Sequence, residues 1–336
     1  MKKIWFVVAG LMVILGVWGW HINKLDYNKI VLVLPSSNRA SSPYFYKKDG
    51  DFFLAQDLRL GFEKLGYKVE YRFREDFKDM KLGDAGNIIY FKGYYNFNPL
   101  PQDDVKKRKK VLYMYYVEGL NGDVLKDADV VASASKKFLD EYILSKGYRG
   151  EFVPQFTNPE RFRKVELESV KSSEVLFVGS NHTRKGRKSV SYAINSNVNL
   201  EVYGKYWNGF IPQKYIKGNY IENSELNKYY ANAKVVLNDH REDMKYFGFV
   251  SNRIYDVSAC GGFVFTDYLK EIEDVYGDSI AMYKNQEEFE EKLQYYLAND
   301  ELRKEMSKKA QKITQENFTN LKIAQKFIDI LKNIKK

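Results

Sequence analysis

From position 245 to 267 the chain reads Lys-Tyr-Phe-Gly-Phe-Val-Ser-Asn-Arg-Ile-Tyr-Asp-Val-Ser-Ala-Cys-Gly-Gly-Phe-Val-Phe-Thr-Asp, a pattern of loop, helix, loop and buried strand. Gly248 permits a tight loop. Ser251 is placed to cap the helix, its hydroxyl accepting from the first free backbone N–H groups. Those N–H groups and the positive end of the helix dipole point the same way, which suits a phosphate. Arg253 on the first turn adds a bidentate anion contact. Asp256, one turn on, comes within reach of a ribose hydroxyl. A nucleoside diphosphate fits this set of groups, and so does an ordinary capped helix with a solvated arginine. Cys260, Gly261 and Gly262 end the helix, and the apolar run 263–266 suits a covered strand.

Holding such groups in place takes a scaffold that alternates strand and helix, and the chain supplies one. Strands are expected over 29–34, 67–71, 87–91, 111–115, 129–133 and from 152. Leu54, Leu58, Phe62 and Leu65 recur on one face of a helix over 53–65, and Ser135 caps another that Gly147 closes. A polar segment, 155–161, reads as a link. Beyond it the alternation restarts with strands over 174–178, 199–203, 235–238 and 279–283. Helices are expected over 224–233, 287–297 and 300–315, and a last helix over 321–334 could fold back on the first half. Strands alternating with helices imply parallel sheets of the doubly wound kind. The loop 179–187, Gly-Ser-Asn-His-Thr-Arg-Lys-Gly-Arg, is basic and follows a strand, where such sheets bind ligands. It is neither a Walker A sequence nor a GxGxxG fingerprint.

Composition narrows the classes. The chain has 336 residues, room for about two domains; 44% are hydrophobic and 29% charged, as in a globular protein. The net charge of +10 favours anionic partners. The basic block 106–110 lacks aromatic interleaving, so nucleic acid is not an expected partner. A single cysteine, Cys260, rules out an internal disulfide, and three histidines, His21, His182 and His240, give little basis for zinc.

Several motifs, taken in order, resemble the CgeB-like (spore-maturation-type) glycosyltransferases of the GT-B group. They are Phe177-Val-Gly-Ser180, Val202-Tyr-Gly204 with Trp207, the run Tyr229-Tyr-Ala-Asn-Ala-Lys-Val-Val-Leu-Asn238, then Ser251-Asn-Arg-Ile-Tyr-Asp256, Ala259-Cys-Gly-Gly-Phe263 and Thr266-Asp267. The resemblance covers roughly residues 125 to 330 well and 29 to 124 by architecture alone. It implies an α/β GT-B fold, two Rossmann-like doubly wound domains facing a cleft, with acceptor domain 25–158, nucleotide-sugar domain 159–315 and a returning helix in 316–336. It also implies a nucleotide-sugar donor, a glycan, lipid-linked saccharide or protein acceptor, and no metal or other cofactor. Asp256 takes the place of the family's acidic ribose ligand, and Arg253 and the turn from Ser251 face the diphosphate. Gly179, Ser180, Asn181, Arg184, Lys185, Tyr203, Gly204 and Asn238 complete the donor set. Two departures stand out. The position eight before Asp256, acidic in many retaining relatives, is Gly248, and Ser180 stands where the family has arginine.

Other residues carry double readings. Glu118 suits a general base facing the cleft or a surface carboxylate. His240, in Asn238-Asp-His-Arg241, suits contact with donor phosphates or sugar, a catalytic role, or a plain loop; His182 is similar. Asp49-Gly-Asp51 resembles a metal-binding pair, and equally a turn and N-cap. Ser36, Ser37 and Asn38 follow the first strand and suit the cleft on topology. The continuous apolar run that begins at Ile4 and ends at Trp20 reaches roughly 25 Å against a hydrocarbon core of ~30 Å. With no small-residue cleavage site and no lipobox cysteine, it reads as a single-pass N-terminal transmembrane helix, residues 1–24 forming the anchor. Nucleotide sugars are cytosolic, so the catalytic domain is expected on the cytoplasmic face. Two further readings stay open: a membrane-anchored solute-binding protein with two α/β lobes, and a catalytically silent GT-B scaffold.

Overall fold

The computed structural model describes residues 25–42, 45–77, 79–92, 107–116, 122–165 and 172–335. The run from Ile4 to Trp20 and Glu118 lie outside them. Among the described residues no helix is long and apolar enough to cross a membrane.

The first half builds β1 (Asp26–Val33), α1 (Gly50–Lys64), β2 (Lys68–Arg72), β3 (Ala85–Lys92), β4 (Lys109–Met114), α2 (Gly122–Asp127), β5 (Val130–Ser133), α3 (Lys136–Phe138, running on through a π segment and a 3₁₀ turn) and β6 (Gly150–Phe152). Its strands form one sheet in the order β2-β1-β3-β4-β5-β6, every pair parallel. Val31 stands opposite Glu70 on one side and Ile88 on the other. The unbroken apolar stretch Ile30, Val31, Leu32, Val33 and Leu34 has no exposed surface, as a strand covered on both faces requires.

The second half builds β7 (Val175–Val178), α4 (Lys188–Asn195), β8 (Leu200–Tyr203), β9 (Ile216–Gly218), α5 (Leu226–Asn232), β10 (Val235–Asn238), α6 (Glu242–Phe247), α7 (Asn252–Ala259), β11 (Val264–Asp267), α8 (Lys270–Tyr276), β12 (Ala281–Tyr283), α9 (Gln286–Ala298) and α10 (Asp300–Asn317). The second sheet is also parallel, ordered β12-β11-β10-β7-β8-β9. The doubly wound expectation therefore holds for both halves. Helix α1 starts earlier than the apolar periodicity indicates, because Asp49 caps it by accepting the Asp51 N–H at 3.3 Å. Part of the loop read before Ser251 is helix α6, whose first turn carries Glu242 and Asp243, favourable to the helix dipole.

The chain crosses between the halves twice, and the crossings lie side by side. Thr157 N donates to Phe318 O at 2.9 Å, and Asn320 N donates to Thr157 O at 2.8 Å. Helix α11 (Asn320–Lys332) then returns to the first half, and Ile323, Ala324, Phe327 and Leu331 enter its core. It packs on α1 at Gly61, where an added Cβ would sit 2.5 Å from Asn320 O and 2.9 Å from the Ala324 Cβ. Asp57 of α1 anchors the junction. Its carboxylate takes Asn158 Nδ2 at 2.9 Å and the Arg161 guanidinium, and its main-chain oxygen takes Asn320 Nδ2 at 2.9 Å. Burial raises the Asp57 carboxyl above the usual range and the Arg161 charge opposes that shift.

Gly61→Ala tests the docking of α11. Helix propensity alone favours alanine by ~1 kcal/mol, whereas overpacking costs about 1–3 kcal/mol. The melting midpoint is expected to fall by several degrees; a rise would show that α11 does not press on α1.

Candidate functional site

In the second sheet β7 and β10 are neighbours, and the connections from them leave in opposite directions. That is a switch point, and ligands bind beyond the carboxyl ends of strands there. Loop 179–187 leaves β7, loop 239–241 with α6 and residues 248–251 leaves β10, and α7 begins between them.

Arg253, on the first turn of α7, is drawn inward. Its Nη1 donates to Asn238 Oδ1 at 2.6 Å, its Nη2 donates to the Val178 carbonyl, and its plane lies 5.1 Å from the centre of the Phe177 ring. Asn238 is fully buried and donates onward to Thr266 Oγ1 at 2.9 Å. Among the described residues no carboxylate forms an ion pair with Arg253. Burial, and then the charge of Arg187, lower its pKa, but a guanidinium keeps its proton. The nearby Asp239 is committed elsewhere: it takes Arg187 Nε at 2.5 Å, Ser189 N at 3.1 Å and Ser189 Oγ at 3.0 Å.

Several expected donor residues turn out to build the loops. The side chain of Asn181, fully buried, donates to Tyr206 O at 3.2 Å and accepts the Gly186 N–H at 3.0 Å. Ser180 Oγ accepts the Lys205 N–H at 3.0 Å, and Trp207 Nε1 donates to Gly179 O at 2.8 Å. Gly204 runs so close to the Gly179 backbone that a Cβ has no room. Tyr203 meets the Tyr229 ring edge-on at 5.2 Å, and burial pushes its hydroxyl up to about 12. Arg184 and Lys185 sit exposed at the loop tip, with the Arg184 guanidinium 5.4 Å from the Tyr206 ring centre. Partial burial, then Lys205, Arg187 and Arg241, lower the pKa of His182, a sign of how positive this rim is. Tyr206, 43% exposed and at φ 68°, was not among the expected residues; the glycine-bearing turn before it is the only sequence signal that marks it.

Ser251 occupies the N-cap position of α7 with φ −64° and ψ 137°, but its hydroxyl closes no capping bond. Its N–H donates instead to His240 Nε2 at 3.0 Å, while His240 Nδ1 meets Asp267 Oδ1 at 2.7 Å. A ring nitrogen that accepts an N–H bond carries no proton, so Nδ1–H is the donor to Asp267. Both nitrogens of a side chain with 0% exposure are thus occupied. His240, expected as a catalytic residue, has no nitrogen left to exchange a proton with substrate; it fixes the start of α7. Burial works to raise Asp267, but the His240 bond and Lys245 at 3.4 Å outweigh it and hold the carboxyl below its usual range.

Asp256 faces the crossing. Oδ1 accepts Thr157 Oγ1 at 2.8 Å and Oδ2 accepts Asn252 Nδ2 at 2.9 Å. Burial pushes its carboxyl up to about 7, against the pull of Arg161. Each oxygen has a lone pair left for a ribose hydroxyl. At Gly248, φ 72°, any side chain is strained by the left-handed backbone, and its Cβ would have to displace the Glu271 carboxylate, so an acid at this position is disfavoured.

Residues 184–329 match the model of a family described as Glycosyl transferase-like. The chain is 26% identical over 215 residues to Spore protein CgeB of Bacillus subtilis (strain 168), covering 58% of this chain and 66% of that protein, just under two-thirds of the relative's length. Sucrose-phosphate synthase from Thermosynechococcus elongatus superposes with a TM-score of 0.67 at 13% identity, covering 90% of this chain and 98% of that one. Anabaena Alr3699/HepE, in complex with UDP and glucose, gives 0.62 at 11% identity, covering 91% and 100%. These structural likenesses establish a shared two-domain fold. Together with sequence similarity that includes the loop after β10 and the start of α7, they make the chain similar to glycosyltransferases of the GT-B group and, in sequence, to Spore protein CgeB.

Proposed function

We propose that the protein moves a sugar from a nucleotide-sugar donor to a glycan, lipid-linked saccharide or protein acceptor, without a metal ion. The observation that carries this reading is Arg253, a cation set into the floor of the switch point with only neutral partners. Such a group is costly unless an anion completes it. A donor diphosphate lying across the start of α7 accepts from Arg253 and from the helix N–H groups that Ser251 leaves uncapped, with Arg184 and Lys185 covering its other side. Departure of the nucleoside diphosphate builds negative charge, and fixed cations and N–H dipoles stabilise it. Asp256 accepts from the ribose. The apolar run from Ile4 to Trp20 anchors the chain in a membrane, with both domains on the cytoplasmic face, where nucleotide sugars are available.

HepE, of the same fold, is seen with UDP and glucose, so uridine nucleotides head the panel of probes. Calorimetric titration of the full chain should show saturable binding of one nucleoside diphosphate. Arg253→Ala should weaken it about 10- to 100-fold, the worth of a charge-assisted bond of about 1.5–3 kcal/mol. Arg253→Lys should restore only part, because the fork geometry is gone. A folded protein that binds no nucleotide removes the transferase reading.

His240→Ala provides a second test. It leaves the Ser251 N–H without its acceptor, at about 1–3 kcal/mol for an unsatisfied group, and takes the ring N–H from Asp267, which keeps the His240 main-chain N–H, Thr266 and Lys245. The melting midpoint and nucleotide affinity should fall together. A variant with normal stability and affinity but no turnover would return His240 to a catalytic role.

A further inference from the structure

The first sheet has a switch point of its own, between β1 and β3. Ser36 and Ser37, directly after β1, and Asp49 and Asp51, at the start of α1, lie there. Both serines are fully buried. Ser37 Oγ donates to Glu75, which also accepts the Asn38 N–H at 3.1 Å. Asp49 uses Oδ1 to cap α1, and its Oδ2 is buried with no hydrogen-bond partner. Ser36 Oγ, beside Asp49, closes no well-formed bond either. Asp51, partly exposed as a residue, has its carboxyl bordered by Asp49 on its own element, Arg74 from the turn after β2, and Tyr115 from the end of β4. Tyr115 is 5% exposed, and its hydroxyl, next to Asp51, also lacks a partner at bonding geometry. Ser36 lies against Asp49 and Tyr115 against Asp51, and Ser36 Oγ, Asp49 Oδ2 and Tyr115 OH are polar atoms that can still turn a well-formed bond toward a ligand hydroxyl.

The cluster borders the donor loops. Gln155 Nε2 donates both to Tyr115 O at 3.1 Å and to Val250 O at 3.2 Å, so the end of β4 is tied to the residue before Ser251. The Arg241 guanidinium lies 5.4 Å from the centre of the Tyr116 ring. Burial raises both aspartates, and Asp49's charge adds to the shift of Asp51, which reaches about 8 while Tyr115 and Arg74 oppose it. Among the described residues no third His, Cys, Asp or Glu joins the pair in a metal-binding group.

We propose that Asp51 is the base for the acceptor, a saccharide whose attacking hydroxyl binds between Asp51 and Tyr115 while a second hydroxyl meets Ser36 and Asp49. The proposal rests on the transferase reading above. In the step, the ionised Asp51 carboxylate takes the proton of the acceptor O–H, and that oxygen's electron pair forms the bond to the anomeric carbon of the donor. The bond from that carbon to the phosphate oxygen breaks, and its electrons leave with the nucleoside diphosphate. The proton passes from Asp51 to solvent after product release. Attack opposite the leaving group inverts the anomeric configuration.

The test uses the full chain, UDP-glucose or whichever nucleotide sugar the titrations select, and water as the simplest acceptor. The wild-type rate of donor hydrolysis should rise with pH to a half-maximum near 8, where Asp51 ionises. Asp51→Asn should lower the rate by about 10²- to 10⁴-fold, the usual worth of general base catalysis, with nucleotide affinity unchanged. Asp49→Asn keeps a good N-cap but removes the neighbouring charge, so its half-maximum should move to lower pH; a purely structural role would not produce that shift. If Asp51→Asn fails to fold, the Asp49→Asn profile decides. Normal hydrolysis by a folded Asp51→Asn, an unmoved profile in Asp49→Asn, or a wild-type chain that binds donor and never hydrolyses it overturns this proposal and leaves donor binding standing. Absence of any nucleotide binding by the wild-type chain overturns both.

Discussion

The two sheets share no strand, so the geometry between them depends on the paired crossings at Thr157 and Asn320. The two main-chain bonds there are reinforced by Asp57, whose carboxylate holds Asn158 and Arg161 from the first crossing and whose main-chain oxygen holds Asn320 from the second. One buried acid therefore ties three stretches of chain. Removing one partner of such a group is strongly destabilising, since the other is left buried and unpaired. The donor helix is fastened to the same place, because Asp256 of α7 accepts from Thr157.

The polar groups of the second domain divide into two kinds. His240, Asp267, Asn238, Asn181, Ser180 and Asp239 are satisfied by the protein itself, and their bonds fix the loops and the start of α7. Arg253 is satisfied only by neutral acceptors, and the first turn of α7 has no side-chain cap. Preorganised donors of this sort gain most from charge that develops during a reaction, because nothing need reorient to meet it. Had Ser251 closed a capping bond, or had a carboxylate paired with Arg253, the anion site would be filled by the protein.

How much of this could be read from sequence followed the range of the interactions. The continuous apolar runs revealed both parallel sheets, because a strand covered on both faces needs little else to declare it. Gly179 was placed at the end of a strand and Arg253 and Asp256 on the first turns of a helix, but the pairing of β7 with β10 that brings them together is long-range and had no signal in the sequence. The missed elements, α2, α4, β9, α6 and α8, are each eight residues or fewer, too short for a clear period. Partners were harder to foresee. Whether His240 was a free base or a buried spacer turned on Asp267, 27 residues away, and Asp256 meets Thr157 across 99 residues. For Ser251 the residue type was right for a cap, but the His240 ring claims its N–H and the hydroxyl makes no capping bond. Local propensity identifies the position, and tertiary contacts decide which atom is used.

The two clusters differ in their exposed and buried charge. The cations stand on the second sheet, at Arg253, Arg184, Lys185 and the rim around His182, while the aspartate pair stands on the first. The Gln155 bridge between Tyr115 and Val250 ties the two together. In a chain with a net charge of +10, burial and then the Asp49 charge push the Asp51 carboxyl up to about 8 against the pull of Tyr115 and Arg74. A salt bridge at Asp51 would have fixed it as a permanent anion, whereas a desolvated, like-charged pair gains and loses a proton within the range where a base must work.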